Sequence, residues 1–399
     1  MAHLLHLIAA AAVLLLGANE LRLPWTFPVG VALLALLPYS LARHVRALAL
    51  RGDFRRAERL ARVVCHSPVV LHAFAVLAFG WVQSVQSWTG MELLLVSWPR
   101  PALLLTALPF LVFELVAIDA YSRVHELSLR ERLEVRNFQL RMFLAAIAPL
   151  SICLFLATLV GWSESLRVRI ERVALAHALF LTSLLFAMAA SLPALLSHTL
   201  ETTAIGPGPI RDLFDAIAQR ARFAAHSLRV WKTNHMMANA MIVGLFAKNR
   251  VVFFSDSLLA MLAPRELAAV FAHEIGHAQR HHIAIFLTWI AAFLLGGDLL
   301  STWIASEAGL ASEWGAMTAG LALFVLWFLV FGWLSRRFEL EADLYALELL
   351  NDPLGMIAAL ERVGGRLRDV AGWRHFSTAS RVAFISRAAA DPGFVRRFR

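Results

Sequence analysis

The chain has 399 residues, 59% of them hydrophobic and only 16% charged, against roughly 25% charged in an ordinary soluble domain. Its net charge is +9, nearly all of it arginine, but the arginines lie between long apolar runs and no nucleic-acid module accompanies them, so membrane topology accounts for the charge and nucleic acid is excluded as a partner. Two cysteines, Cys65 and Cys153, make neither a disulfide framework nor a CxxC metal site.

In chain order, apolar segments fall at 3–17, 26–42, 67–88, 101–119, 141–161 and 174–197. A spanning helix needs about 20 apolar residues, so the first is short for a span. Pro24, Pro28 and Pro38 interrupt the second, and the first two together could instead form a re-entrant hairpin. Gly-Pro-Gly-Pro at 206–209 marks entry into a polar stretch. Two further apolar segments follow at 283–305 and 314–334, and then a basic tail. The expected fold is mostly α: a polytopic α-helical membrane protein of about eight spans carrying a small cytoplasmic α+β domain. The expected divisions are a multi-span region at 1–200, a first domain part at 201–282, two spans at 283–334 and a second domain part at 335–399. His72, Glu114, Asp119 and Asp298 are polar residues within or beside apolar segments, where they either line a cavity or sit near an interface.

Loop charge orients the chain. Stretches 43–66 and 120–141 are rich in arginine, whereas the alternate loops carry Arg22, Arg100 and, in 306–313, none. The loop 162–173, with Arg167, Arg169 and Arg172, dissents. On balance the polar domain and both termini face the cytoplasm.

The segment PRELAAVFAHEIGHAQRHH, 264–282, opens with a proline suited to a first helical turn and carries an apolar stripe at Leu267, Val270, Phe271 and Ile275. His273 and His277 are four apart and share a helix face, as two metal ligands must. Glu274 lies just off that face, where a general base acting on water is needed. A third ligand is expected on another element. SRRFELEAD, 335–343, offers Glu339 and Asp343 on one helix face, whereas Glu341 points elsewhere and reads as solvated.

AHEIGH and SRRFELEAD together resemble the membrane zinc metalloproteases that include the CAAX prenyl protease and HtpX families. The resemblance implies one Zn²⁺ per chain, held by His273, His277 and Glu339, with Asp343 supporting the site from behind. MANAMIVGLFAKNRVVFFSDSLLAML, 237–262, resembles the family's Asn-Ala edge strand and hairpin, which implies that Asn239 and Ala240 bind an extended substrate backbone. Alternating apolar residues and Lys248-Asn249 independently support a hairpin. His375-Phe-Ser-Thr-Ala-Ser-Arg381 resembles the family's His-Pro segment, with Phe376 in place of proline. It implies that His375 stabilises an oxyanion and that Arg381 braces Asp343 or the oxyanion. His282 is left outside the site. The expected protein is an integral-membrane zinc endopeptidase of a bacterial inner membrane, acting on peptides or membrane-protein segments at the cytoplasmic face. Processing of lipidated CAAX-type peptides, a sensor-transducer and an inactive scaffold are the alternatives.

Overall fold

The computed structural model describes residues 3, 6, 7, 9, 10, 13, 14, 27–89, 105–124, 128–306, 313–365 and 368–398. The expected span at 3–17 therefore lies largely outside the described residues, as do Arg22, Arg100, most of the 306–313 loop and the side chain of Asp298. The described chain is mostly helical and divides into two compact units, Met1–Ala176 and His177–Arg399.

In the first unit, α1 runs from Phe27 to Leu50 as one helix in spite of Pro38 inside it. Pro28 is in its first turn, where the missing N–H has no intrahelical acceptor to lose. The next helix, α2, spans Phe54–Ala73 and is capped by Asp53, whose side chain accepts from the Arg56 N–H. It continues into a wide π-type turn at Phe74–Ala78, followed by α3 at Trp81–Thr89. Then come α4, Leu108–Ser122, and α5, Leu129–Gly161. Ser128 and Glu131 close a reciprocal capping box at the start of α5. The short α6, Glu164–Arg172, ends the unit. Inside it, Ala42, Val45, Ala57, Val64 and Ala120 pack together, as do Leu71, Ala75, Trp81, Val85 and Phe113. Outside, Leu33, Leu36 and Phe155 are exposed. Apolar side chains on outward faces of long helices are what a hydrocarbon solvent requires.

The second unit opens with α7, Ala174–Thr199, which crosses the division between units. Then follow β1 (Thr202–Ala204), α8 (Pro209–Arg220), β2 (Ser227–Trp231), β3 (Ala240–Val243) and β4 (Val251–Ser255). The sheet order is β1-β2-β4-β3, with β2 and β4 parallel and the other pairs antiparallel. Helices α9 (Asp256–Met261), α10 (Pro264–Gln279), α11 (His282–Ser306), α12 (Glu313–Leu350), α13 (Pro353–Gly364), α14 (Thr378–Ala390) and α15 (Pro392–Phe398) complete it. Phe214, Phe254 and Phe271 join α8, β4 and α10 in one core, with the first two rings stacked at 4.5 Å.

Among the described residues, four helices are long and apolar enough to cross a membrane: Val29–Leu50, Phe54–Ala78, Leu129–Gly161 and Ala176–Thr199. A fifth is reached if α10 and the start of α11, bent by 45°, count as one span. The expected segment at 101–119 falls mainly in α4, only 15 residues long. Segment 314–334 forms the first part of the 38-residue α12.

Candidate active site

The site is assembled by two helices that approach closely. In α10, Gly276 faces α12, and a Cβ there would lie 3.0 Å from the Ala342 Cα and 3.1 Å from its carbonyl oxygen. Only a residue without a side chain lets the backbones meet at this separation. The contact brings His273 and His277 of α10 opposite Glu339 and Asp343 of α12.

The donor atoms converge. His273 Nε2 and His277 Nε2 are 3.2 Å apart, and the Glu339 carboxylate lies 3.7 Å from the first and 4.0 Å from the second. Tetrahedral coordination with bonds of about 2.0–2.1 Å separates ligand atoms by roughly 3.3 Å. The three groups thus form a set that can hold a metal ion. Their hydrogen bonds fix the tautomers. Asp343 Oδ1 accepts from His273 Nδ1 at 2.9 Å, which leaves the Nε2 lone pair aimed at the centre. Asp343 also accepts from Arg381, at 2.8 Å from Nε and 2.6 Å from Nη2. Arg381 Nη1 stands 3.1 Å from Glu339, and His375 Nδ1 lies 3.2 Å from the other Glu339 oxygen. Every residue expected on the metal side, His273, His277, Glu339, Asp343, Arg381 and His375, is therefore in one cluster.

The charges follow from these neighbours. Burial pushes the Glu274 carboxyl up to about 7, and the negative Glu339 adds to this. Burial would raise Glu339 too, but His375, His273 and Arg381 hold it well below the usual carboxylate range. Burial lowers the His277 imidazole to about 3, so it stays neutral, the form that ligates a metal. Burial works against a charged His273, yet Asp343 overrides it and raises that group. Arg381 is raised despite burial by Asp343 and Glu339.

Sequence reasoning missed one connection. At the break between α10 and α11, His281 takes a left-handed backbone, φ 57°, and the chain turns so that His282 comes back against His277. The two Nδ1 atoms are 2.9 Å apart. His282 Nε2 is 3.2 Å from Glu341 Oε2, and Arg337 Nε donates to the other Glu341 oxygen at 2.7 Å. A carboxylate only accepts, so His282 carries its proton on Nε2. Its Nδ1 then accepts from His277 Nδ1–H, which leaves the His277 Nε2 lone pair for a metal. Glu341 is thus not a simple solvated residue, and His282 touches a candidate ligand. The expectation failed because helical direction was judged within α12 alone, without the turn that returns His282.

Asn239 lies just before β3, and Ala240 is its first residue. Among the described residues the strand pairs only with β4, so it is an edge of the sheet. Ser255 N–H donates to the Asn239 carbonyl at 2.9 Å. By antiparallel alternation, Met241 and Val243 exchange ladder bonds with β4, whereas the backbone groups of Ala240 and Ile242 point outward. The Ile242 N–H reaches Glu274.

Residues 208–387 match the family model described as Peptidase family M48. The resemblance read from AHEIGH and SRRFELEAD is borne out by the relatives. "Protease HtpX homolog 1" of Streptomyces coelicolor is 31% identical over 172 residues, covering 41% of this chain and 57% of that protein. "CAAX prenyl protease 1 homolog" of Dictyostelium discoideum is 28% identical over 188 residues, covering 39% of this chain and 42% of that one. The chain spans about half the length of the curated relatives it matches. The crystal structure of S. mikatae Ste24p superposes with a TM-score of 0.60 at 16% identity, covering 92% of this chain and all of that one, so the fold is Ste24-like. The match to a peptidase family whose members carry a metal ion implies one here, and the donor set of His273, His277 and Glu339 fits one.

Proposed function

We propose that the chain is an integral-membrane, zinc-dependent endopeptidase whose site faces the cytoplasm. The observation that carries this reading is the convergence of three lone-pair donors, two of them hydrogen-bonded so that Nε2 is free to ligate, beside the buried Glu274, which lies outside that donor set. Two imidazoles and one carboxylate suit zinc with a position left open. When bound, zinc would polarise a scissile carbonyl and make a water acidic. Glu274, pushed to about 7, takes the water proton and delivers it to the leaving amine. His375, half-exposed beside Glu339, is positioned to stabilise negative charge on the carbonyl oxygen, and Arg381 holds Glu339 and Asp343 in place. The outward backbone of Ala240 binds an extended peptide as an added strand. Quality control of membrane proteins is the leading role, and processing of lipidated CAAX-type peptides is the second. Arginine in 43–66 and 120–141 supports a cytoplasmic site in a bacterial inner membrane.

Metal content tests the ligand roles. His273→Ala, His277→Ala and Glu339→Ala should each strip the site, while Glu274→Gln should keep its metal. Loss of metal in Glu274→Gln with retention in Glu339→Ala would reverse the assigned roles.

A further inference from the structure

A second group of metal-ligating side chains is buried in the first unit, far along the sequence from AHEIGH. His3 and His6, three apart in helical backbone, share one face. Both meet Glu114 of α4. His3 is 8% exposed, His6 5% and Glu114 1%. The surroundings are apolar: Ala10, Phe110, Ile118 and Phe143 form the local core, and the Phe143 ring stands 5.7 Å from that of His3. One buried carboxylate here needs compensating positive charge.

The contacts define where each nitrogen points. His3 Nδ1 meets Glu114 Oε1. His6 Nδ1 lies 3.2 Å from each Glu114 oxygen. On their far sides, His3 Nε2 is 3.2 Å from Gln139 Oε1, and His6 Nε2 is 2.9 Å from His66 Nδ1. Ligand atoms from His3, His6 and Glu114 all lie within 4.8 Å of one another.

Protons alone satisfy this arrangement only at a cost. Ionised Glu114 accepts and cannot donate, so both Nδ1 atoms must carry hydrogen. His3 Nε2 then faces the Gln139 carbonyl oxygen, and two acceptors oppose each other unless His3 is a buried imidazolium or the Gln139 amide is turned. A divalent cation, admitted as the direct His3 Nδ1–Glu114 contact opens, leaves the other contacts satisfied with neutral imidazoles. The two Nδ1 lone pairs and a Glu114 oxygen bind the cation. His3 Nε2–H then donates to Gln139, and His6 Nε2–H donates to His66. Outward N–H groups held by a carbonyl and a nitrogen acceptor are the outer support that ligating histidines ordinarily have. The +2 charge also answers the buried carboxylate.

We infer that His3, His6 and Glu114 form a second binding site for a divalent first-row transition metal, separate from the M48 site, with Gln139 and His66 orienting the two imidazoles. Two imidazoles and a carboxylate suit Zn²⁺ and Co²⁺ and disfavour Mg²⁺ and Ca²⁺, which prefer oxygen ligands.

The test uses the full chain in detergent, without a histidine tag, after loading with Zn²⁺ or Co²⁺ and exhaustive dialysis. Elemental analysis should find about two metal ions per chain in the wild type. In His277→Ala/Glu339→Ala about one should remain, with the visible ligand-field bands of Co²⁺ in a nitrogen-oxygen site. Adding His6→Ala or Glu114→Gln to that background should remove it. His6→Ala alone should retain about one ion, which shows that the protein still folds around the M48 site. If His277→Ala/Glu339→Ala holds no metal, the buried cluster is a proton-bridged network and the inference fails. It fails equally if a remaining ion survives both His6→Ala and Glu114→Gln, because the ion then sits elsewhere.

Discussion

Histidine 277 is a ligand candidate whose orientation is set by a residue five positions later. Its Nδ1 is 2.9 Å from His282, which in turn leans on Glu341 and Arg337. Removing such an outer partner typically lowers metal affinity by about 10–100-fold. His282→Ala should therefore weaken metal binding by that order in a competition titration with a chelating dye. Glu341→Ala should weaken it in the same direction, because His282 is then free to turn its proton toward His277. Unchanged affinity in both variants would show that the His282 chain does not position His277. At this scale the sequence was legible where spacing is local. The separation of His273 and His277 is a property of one helix, and Glu274 follows from it. The grouping of Glu339 with Asp343 was also legible, since both lie on one turn of α12. The tie between His282 and Glu341 crosses 59 residues and depends on the left-handed backbone of His281, which no helical periodicity reveals.

At the level of elements, α10 and α12 bring the candidate ligands together, and β3 offers the edge strand. The close approach at Gly276 sets the distance between His277 and Glu339. A branched side chain there would meet the Ala342 backbone and Tyr345. Overpacking of this kind costs about 1–3 kcal/mol, so Gly276→Val should lower the unfolding temperature and the metal content together. A variant that kept both would mean that α10 and α12 need not touch for the site to form. The edge strand is tested differently. Ala240 points its backbone away from β4, so Ala240→Pro removes an outward N–H without taking a bond from the ladder. A neutral hydrogen bond is worth about 0.5–1.5 kcal/mol. KM for an extended peptide should rise several-fold while metal content holds, and an unchanged KM would remove Ala240 from the substrate site. The hairpin itself was readable from alternating apolar residues and the Lys248-Asn249 turn. Its edge position was implied only by resemblance, because strand order depends on a parallel pairing of β2 with β4 that local sequence does not encode.

Taken whole, the molecule joins long apolar helices to a compact domain with a titratable centre. Composition made the apolar part plain, and arginine placement supplied an expectation of which side the polar domain faces. Individual spans were harder to read: α4 is shorter than its apolar run suggested, and α12 continues well past the segment expected to span. Helix ends respond to packing as well as to hydropathy. The cytoplasmic placement can be tested in a variant lacking Cys65 and Cys153. Single cysteines at the exposed positions Lys248 and Asp369 should react with an impermeant thiol reagent only after the membrane is opened. Labelling of both in intact cells would put the site on the outer face.

Hydrolysis of an unstructured protein by the purified chain in detergent tests the central claim most directly, with the wild type and Glu274→Gln compared at matched metal content. The wild type should cut internal peptide bonds, stop when its metal is chelated and recover when Zn²⁺ is restored. Glu274→Gln should bind the metal at His273, His277 and Glu339 and cut nothing. Undiminished cleavage by Glu274→Gln, or by wild-type protein freed of metal, would contradict it.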